Sequence, residues 1–534
     1  MCRAMAHKSS NGFNEVGAIT DPQPEVQPHR AGSSATSRAG RITRTVLIVG
    51  AVACSALTLI AVPIPWMWES MRVLGVGVVL LFLLVWSFRS PMARSKTAFF
   101  IWGMVLASEC IFFRSGDETA NALAFQGQFP TAAYGEVLTC VLCLVTVMFL
   151  WAPVRRYLGR LFTGDYKWLT FFAIVCVASC VYAPRSAYGL AWSIKLCLVA
   201  LLLALCSTQV HDFRDTVCFL RFTFWGYTLV VLLPVILGLL SDSPFDDEGR
   251  MSPIVSPDAL GPNAGAVFLL ALTLFSRVKD EGLRRSAIFV GTGAFLVMIL
   301  AGSKTGILAA LFAGTLFFVV RRRVGSAFGY VGIAILLLCV LALSTPLGSY
   351  FSNYADSGAA GSFSGRTLLW SAVIPAIRQK PILGHGYLAS TFVEFQVNAV
   401  RWAAPHLHNG FIEVLYNNGL IGLVPIIMIN VVIVKNLIRV LRRAPSDGAI
   451  YRLAAGCLAV WAHLFINGFF NASFGGKARP PFMLLIGLVL VSNKLLEFVP
   501  LPQRTAAYTT LKAEPVTSGD LLPAAPTMNI NGWR

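Results

Sequence analysis

Residues 406–423, HLHNGFIEVLYNNGLIGL, close the longest stretch between hydrophobic runs and lead directly into the next run. The long stretch between hydrophobic runs also contains, upstream of these residues, GSFSGRTLLW at 361–370 and PILGHGY at 381–387. Glycine, arginine and histidine between two apolar runs are typical of a functional loop carried by a rigid body. We therefore interpret the rest of the chain as the membrane body that holds this loop at a membrane surface.

Composition points to a membrane protein. The chain has 534 residues, of which 56% are hydrophobic and only 13% are charged, whereas about a quarter of the residues in a soluble protein are charged. Only helices and closed barrels satisfy the backbone within a bilayer. The apolar runs here are uninterrupted rather than alternating, so we predict an all-α polytopic membrane protein.

The apolar runs give about 12–14 transmembrane helices. Fourteen candidates can be drawn, and twelve is the alternative because the segments at 263–276 and 286–320 are the least clear. The candidates lie near residues 45–64, 71–88, 97–113, 133–151, 168–183, 188–206, 217–240, 263–276, 286–301, 304–320, 327–346, 409–433, 453–470 and 481–497.

The net charge of +18 would suggest a nucleic-acid partner in a soluble chain. Here the basic residues gather in alternate short loops, near residues 89–96, 155–160, 277–285, 321–323 and 435–443. This asymmetry follows the positive-inside rule. We therefore predict cytoplasmic termini, no nucleic-acid partner, and an outer location for residues 348–408.

The predicted organisation has five parts. Residues 1–41 and 499–534 lack apolar periodicity, which predicts disordered cytoplasmic tails. Between them we expect an N-terminal transmembrane bundle at 42–347, a large outer catalytic loop with short helices at 348–408, and C-terminal transmembrane helices at 409–498. The first apolar run is too long for a signal-peptide core. The twelve cysteines lie mostly inside apolar runs, and we interpret them as small core residues.

Several basic residues fall on the outer side, where the positive-inside rule does not expect them. Cations near helix ends are suited to an anion site, and inside a membrane they need a cavity or a partner. Arg250 has the alternative of pairing with the acidic cluster at 246–248, and Lys304 that of extending to the interface. No ligand spacing supports a metal at the acidic cluster. The basic residues predicted on the outer side are Arg250, Lys304, Arg366, Arg378, Lys380, Arg401, Lys477 and Arg479.

Arg366 has the strongest local pattern. The apolar residues Leu369, Val373 and Ile377 follow it at helical spacing and predict one apolar helix face. Free N–H groups at the helix start, with Ser364 as a candidate cap, favour a nearby anion. Arg366 would add a bidentate phosphate contact. The alternative is an ordinary arginine on a surface helix.

Gly384 and Gly386 lie in the turn PILGHGY. Glycine allows a backbone to approach a ligand closely, so both are candidate substrate-binding residues. A plain helix stop explains the same pattern equally well.

His406 and His408 come directly before Asn409, which is well placed to cap the next helix. His408 then lies just outside that helix, where a neutral imidazole is suited to act as a general base. Metal ligation by the His-x-His pair and a structural role are the alternatives, although no third metal ligand is evident. Glu413 lies about 140° around the helix from His408, so we expect it to pair elsewhere.

These motifs resemble the O-antigen ligase and O-antigen/exopolysaccharide polymerase (Wzy-type) superfamily over roughly residues 245–430. The family often has Arg where this chain has Lys304, which keeps the charge but loses the bidentate fork. The matching residues are Arg250, Gly261-Pro262-Asn263, Ser303-Lys304-Thr305-Gly306, Gly365-Arg366, Trp370, Pro381, Gly384-x-Gly386, His408-Asn409, Glu413 and 418–423.

The resemblance implies a GT-C-like membrane glycosyltransferase that is independent of metals and cofactors. Such enzymes take a glycan from undecaprenyl diphosphate on the periplasmic face of the bacterial inner membrane and join it to a hydroxyl. The essential residues of the family fall on Arg250, Arg366 and His408. Lys304, Ser364, Gly384, Gly386, His406 and Asn409 complete the expected substrate site.

Three functions remain open from sequence. A polymerase would extend one lipid-linked repeat with another, whereas a ligase would move finished glycan to lipid A-core or another acceptor. A polysaccharide or glycolipid transporter is the third, although the notable residues gather in outer loops rather than at mid-membrane. We favour the polymerase, with a chain-length regulator as a further candidate partner.

Overall fold

The computed structural model describes much of the chain after residue 95. The described residues are 96–109, 161–239, 256–275, 281–344, 366–392, 394–397, 400–403, 406–471 and 477–499, with isolated positions at 139–159, 245–251 and 473–474. The predicted tails at 1–41 and, after Val499, at 500–534 lie outside them, as do the predicted spans at 45–64 and 71–88 and Ser364.

The described part is dominated by helices. In chain order they are α1 (Thr97–Ser108), α2 (Lys167–Ser179), α3 (Ser186–Gln209), α4 (Phe213–Leu239), α5 (Pro257–Phe275), α6 (Glu281–Leu300), α7 (Lys304–Val320), α8 (Val324–Ser344), α9 (Arg366–Gln379), α10 (Gly410–Arg443), α11 (Ala449–Phe470) and α12 (Pro480–Glu497). Short 3₁₀ turns lie at Gly164–Tyr166, Cys180–Tyr182 and Ala389–Phe392.

Among the described residues, eight helical segments are long and apolar enough to cross a membrane. They comprise the segment Gly164–Tyr182, which contains α2, together with α3, α4, α5, α8, α10, α11 and α12, and α1 and α7 are shorter apolar helices. Each coincides with a run predicted from the sequence. The prediction of an all-α polytopic membrane protein is confirmed, and the total of 12–14 spans stays a prediction.

The segment before α10 contains a short β-hairpin in addition to the helix α9. Strands β1 (Glu394–Val397) and β2 (Val400–Ala403) are antiparallel, with Glu394 opposite Ala403 and Val397 opposite Val400. The sequence analysis expected short helices in this segment and did not predict the hairpin.

Most of the helices share one continuous apolar core, whereas α9 packs in a separate small cluster. Glycines allow α1 and α4 to approach closely, because a Cβ on Gly226 would collide with the backbone of Gly103. A buried ion pair also joins α3 to the end of α1, with Lys195 Nζ 2.5 Å from Glu109 Oε1. The side chains of this pair are 2% and 4% exposed.

The long helix α10 is interrupted at Gly419, whose φ of 62° and ψ of −163° are not helical. The turn 381–387 packs into this break. The N–H groups of His385 and Gly386 donate to the carbonyls of Tyr416 and Asn417 at 2.9 and 2.8 Å. In return, the N–H groups of Leu420 and Ile421 donate to the carbonyls of Pro381 and Ile382 at 2.9 and 3.2 Å. Backbone groups freed by the break are thus satisfied by the loop.

Glycine is required on both sides of this junction. Gly384 has φ +71°, and a Cβ there would lie 2.5 Å from the carbonyl oxygen of Asn417. A Cβ on Gly419 would collide with the carbonyl of Ile382. The turn 381–387 and the residues 416–421 around Gly419 therefore form one interlocked backbone structure, which we call the loop–helix junction.

Candidate active site

Arg366 is the first residue of α9 and is only 9% exposed. Leu369, Val373 and Ile377 form the predicted apolar face, which packs in a small cluster with Leu407. The guanidinium of Arg366 lies 3.5 Å from Asp258, in the first turn of α5. At this distance the contact is loose, so the guanidinium keeps donors for another anion.

The turn 406–409 is held from several sides. Trp370 of α9 donates its indole N–H to the carbonyl of Leu407 at 2.9 Å. The side chain of Asn409 accepts from Phe411 and Ile412 at 3.0 Å, which confirms the predicted helix cap. These contacts fix the backbone of the turn immediately beside His408.

His408 has a backbone φ of +51°, in the left-handed region that non-glycine residues seldom adopt. Its ring centroid lies 4.2 Å from that of His406. The Nδ1 atom of His408 is buried and makes no hydrogen bond. A strained backbone and an orphaned ring nitrogen are features found together at functional sites.

Burial and, to a smaller extent, the positive charge of Arg366 lower the pKa of His408 to about 4, while the negative charge of Asp258 opposes the shift. His408 is therefore neutral at pH 7 and can accept a proton. An anion bound beside Arg366 would offset the guanidinium charge and raise this pKa. The basicity of His408 thus depends on what occupies the site.

Glu413 is 2% exposed, and its carboxylate accepts a hydrogen bond from the backbone N–H of Leu407. It lies within electrostatic reach of Arg479 and Lys477. The expectation that Glu413 pairs away from the His408 side chain is confirmed, since its neighbours are the N–H of Leu407 and the cations Arg479 and Lys477. Its carboxylate also supports the backbone of the residue preceding His408.

Lys304 begins α7, and the side chain of Ser303 caps this helix by accepting from Gly306 N–H at 3.4 Å. Gly261 of α5 packs directly on Ser303, because a Cβ at Gly261 would collide with the Ser303 side chain. The Gly-Pro-Asn and Ser-Lys-Thr-Gly motifs therefore meet at one place, with Lys304 beside the start of α5.

Arg250 forms an ion pair with Asp246 at 3.0 Å, as in the alternative considered from sequence. The neighbouring Met251 donates its N–H to the carbonyl of Leu300, close to Ser303 along the chain. The loop of Arg250 therefore lies beside the start of α7. Its assignment as a catalytic residue stays a prediction.

Gly384 and Gly386 contact protein backbone in the loop–helix junction, and a substrate-binding role for them stays a prediction. His385 stacks on Tyr416, with ring centroids 4.5 Å apart, and its Nε2 lies 2.9 Å from the carbonyl of Ala376. His385 therefore ties α9 to α10.

The first residues of α5, α7, α9 and α10 gather at one end of the bundle. Asp258 contacts Arg366, Gly261 packs on Ser303, and His408 lies within electrostatic reach of Arg366. Each helix start carries a partial positive charge from the helix dipole. Together with Arg366 and Lys304 they form an environment suited to a multiply charged anion.

Sequence reasoning missed Asp258 and the role of Glu413. Asp258 follows a proline at a helix start, which is a weak signal, and its partner Arg366 is 108 residues away. Within the parts of the chain that the structure describes, no three His, Cys, Asp or Glu side chains are grouped as metal ligands would be.

Residues 287–427 match the family model described as O-Antigen ligase. A curated relative, "Exopolysaccharide production protein ExoQ" of Rhizobium meliloti (strain 1021), is 24% identical over 309 residues. That match covers 52% of this chain and 68% of the relative. Both findings confirm the resemblance drawn from the motifs. The chain is a multi-pass membrane enzyme related to polysaccharide synthesis.

Proposed function

We propose that this relative of the O-antigen ligases and polymerases is a membrane glycosyltransferase that transfers a glycan from undecaprenyl diphosphate to a sugar hydroxyl. The observation that carries this proposal is the convergence of helix starts and Arg366 beside a mostly buried, neutral His408. A diphosphate leaving group needs positive charge and a hydroxyl nucleophile needs a base, and the site offers both.

In the proposed reaction, the acceptor hydroxyl oxygen forms a bond to the anomeric carbon while the bond from that carbon to the diphosphate oxygen breaks. His408 takes the hydroxyl proton. Arg366 and the helix starts stabilise the charge on the departing undecaprenyl diphosphate, and Lys304 and Arg250 are further candidate contacts. Attack from the face opposite the leaving group would invert the anomeric centre.

In this proposal the bound donor sets the basicity of His408. Before the donor arrives, Asp258 is the partner of Arg366 and His408 is a weak base. Arrival of the diphosphate adds negative charge beside Arg366, which raises the pKa of His408. The base is thus strengthened only when a donor is present, which limits proton abstraction from water in the empty site.

We favour polymerisation of lipid-linked repeat units, in line with the name of the exopolysaccharide relative. Transfer of finished glycan to lipid A-core or another acceptor is the second candidate, since the matching family model is described as O-Antigen ligase. In either case we propose the bacterial inner membrane, cytoplasmic termini and a reaction at the periplasmic face.

The test uses purified protein in liposomes with a short undecaprenyl-diphosphate-linked oligosaccharide and no other acceptor. Products are separated on a gel. A ladder of regular steps supports the polymerase. Donor consumption only after lipid A-core is added supports the ligase, and no consumption with either acceptor across several donor glycans contradicts glycosyl transfer.

A further inference from the structure

A second group of cations lies at the opposite end of the bundle. Helix α7 starts at the candidate active site and ends at Val320, about 25 Å away by its length. Helix α11 runs between the same two ends of the bundle as α7. Asn471, which follows the last residue of α11, lies 3.5 Å from Thr305 at the start of α7. The hydroxyl of Tyr451, near its start, donates to the carbonyl of Val320 at 2.7 Å.

The turn from α7 to α8 consists of consecutive arginines in a fixed conformation. Arg322 has a backbone φ of +56°, and its N–H donates to the carbonyl of Val319 at 2.8 Å. Arg323 N–H donates to Phe318 at 2.9 Å. The turn therefore holds Arg321 and Arg323 near the first turn of α11, where Arg452 follows Tyr451.

These guanidinium groups have no carboxylate partner among the described residues. Arg321 packs over the ring of Phe317 at 5.0 Å. Burial lowers the pKa of Arg321, as do the neighbouring charges of Arg323 and Arg452. The Nε atom of Arg452 is buried without a hydrogen bond. Like charges held together with an orphaned donor cost free energy unless an anion joins them.

The surface next to these arginines is apolar. Helix α8 begins directly after Arg323, and its side chains include Phe328, 75% exposed, Leu336, 62% exposed, and Leu343, 91% exposed. In a membrane protein such a face is in contact with acyl chains. An anion that reaches the arginines along α8 would therefore carry hydrocarbon tails.

We propose that Arg321, Arg323 and Arg452 bind the phosphate headgroup of an anionic phospholipid whose acyl chains lie along α8. Arginine offers the planar fork that a phosphodiester accepts, and basic pockets between membrane helices are suited to such headgroups. The site is separate from the proposed glycosyl-transfer chemistry and does not depend on it.

The test measures the thermal stability of the purified full-length protein in a zwitterionic detergent. Phosphatidylglycerol and phosphatidylcholine with the same acyl chains are titrated separately, and inorganic phosphate is titrated in a third series. The variant Arg452→Gln is compared with Arg443→Gln, which removes an exposed arginine at the end of α10. Arg321→Gln is a second variant, for use if Arg452→Gln does not fold.

We expect phosphatidylglycerol to raise the Tm of the wild type and of Arg443→Gln, and phosphatidylcholine to have little effect. Arg452→Gln should need at least about tenfold more phosphatidylglycerol, as expected for one lost charge-assisted hydrogen bond. An unchanged response of Arg452→Gln and Arg321→Gln, or an equal response to phosphatidylcholine, overturns the proposal. A full response to inorganic phosphate alone would also overturn it, in favour of a soluble anion.

Discussion

His408 combines features that an ordinary surface histidine lacks. It is mostly buried, its backbone is left-handed, its Nδ1 has no partner, and burial and the positive charge of Arg366 lower its pKa. A structural histidine would be expected to use its ring nitrogens, as His385 does with the carbonyl of Ala376. At the scale of the residue, the geometry therefore favours chemistry over support.

Replacing His408 by Ala should reduce glycan transfer by about 10²- to 10⁴-fold, which is the usual contribution of a general base. The protein should still insert and fold, since Trp370 and Asn409 hold the turn through groups outside the imidazole. Transfer is measured in the liposome assay and folding by size-exclusion chromatography. The control variant is His385→Ala, which removes a histidine that has a structural role instead of the proposed base. Near-wild-type turnover in a folded His408 variant would remove His408 from the mechanism.

The variant Arg366→Lys should lower kcat/KM at least about tenfold, because a point charge replaces a fork that binds phosphate in bidentate fashion. Asp258→Asn is the companion variant, since it removes the resident partner while leaving Arg366 in place. Tight donor binding with Arg366→Lys, at unchanged kcat/KM, would argue against bidentate phosphate recognition at this position.

The rate should depend on pH through His408. In the free protein its pKa is lowered to about 4, so the proton-accepting form predominates above that pH and is lost below it. The acid limb of kcat/KM should lie near pH 4, and that of kcat should lie higher because bound diphosphate raises the pKa. Profiles of both constants test this. Coincident acid limbs near the ordinary histidine value would contradict it.

At the scale of the element, the loop–helix junction explains why two Gly-rich motifs occur in this chain. The sequence shows glycines both in the turn 381–387 and at Gly419. The contact between the two segments is made by backbone groups, so no side-chain pattern predicts it. For the same reason the pattern of Gly384 and Gly386 fits a ligand-binding turn and a plain helix stop equally well, and their substrate-binding role stays a prediction. The helix cap at Asn409 and the apolar face of α9 were predicted correctly, because both are local patterns.

The variant Gly419→Ala should destabilise the protein by about 1–3 kcal/mol, since its φ and ψ lie in a region that is essentially restricted to glycine. The added Cβ also displaces the turn 381–387, so glycan transfer should fall. Gly329→Ala in α8 is the matched control, because a Cβ there meets nothing within 4 Å. Thermal unfolding of both variants in detergent is the measurement. Equal Tm values would show that the junction tolerates a side chain.

At the scale of the whole molecule, the transmembrane helices followed from the sequence because a bilayer permits few alternatives. A long apolar run must become a helix, and its charged flanks indicate orientation. The association of α5 with α9 through Asp258 and Arg366 could not be read in this way, since the partners are distant in sequence. Long-range ion pairs become visible only when the packing of the helices is known.

The buried pair Lys195–Glu109 gives a prediction for the bundle as a whole. Lys195→Met alone should cost about 3–5 kcal/mol, because it removes the cation that lies against a buried carboxylate. Lys195→Met combined with Glu109→Gln should regain most of that loss. The control is Arg285→Met, whose ion pair with Glu281 is exposed and contributes little. If Lys195→Met unfolds at the wild-type temperature, the pair does not hold α1 to α3.

The loop–helix junction also has a consequence for biosynthesis. The turn 381–387 leaves the ribosome before α10, so its carbonyl and N–H groups are already present when the break at Gly419 enters the membrane. A chain cut between β2 and α10 would have to insert α10 with those groups unmatched in hydrocarbon. The two fragments should therefore assemble only when they are made together, and the second fragment alone should be cleared by quality-control proteases.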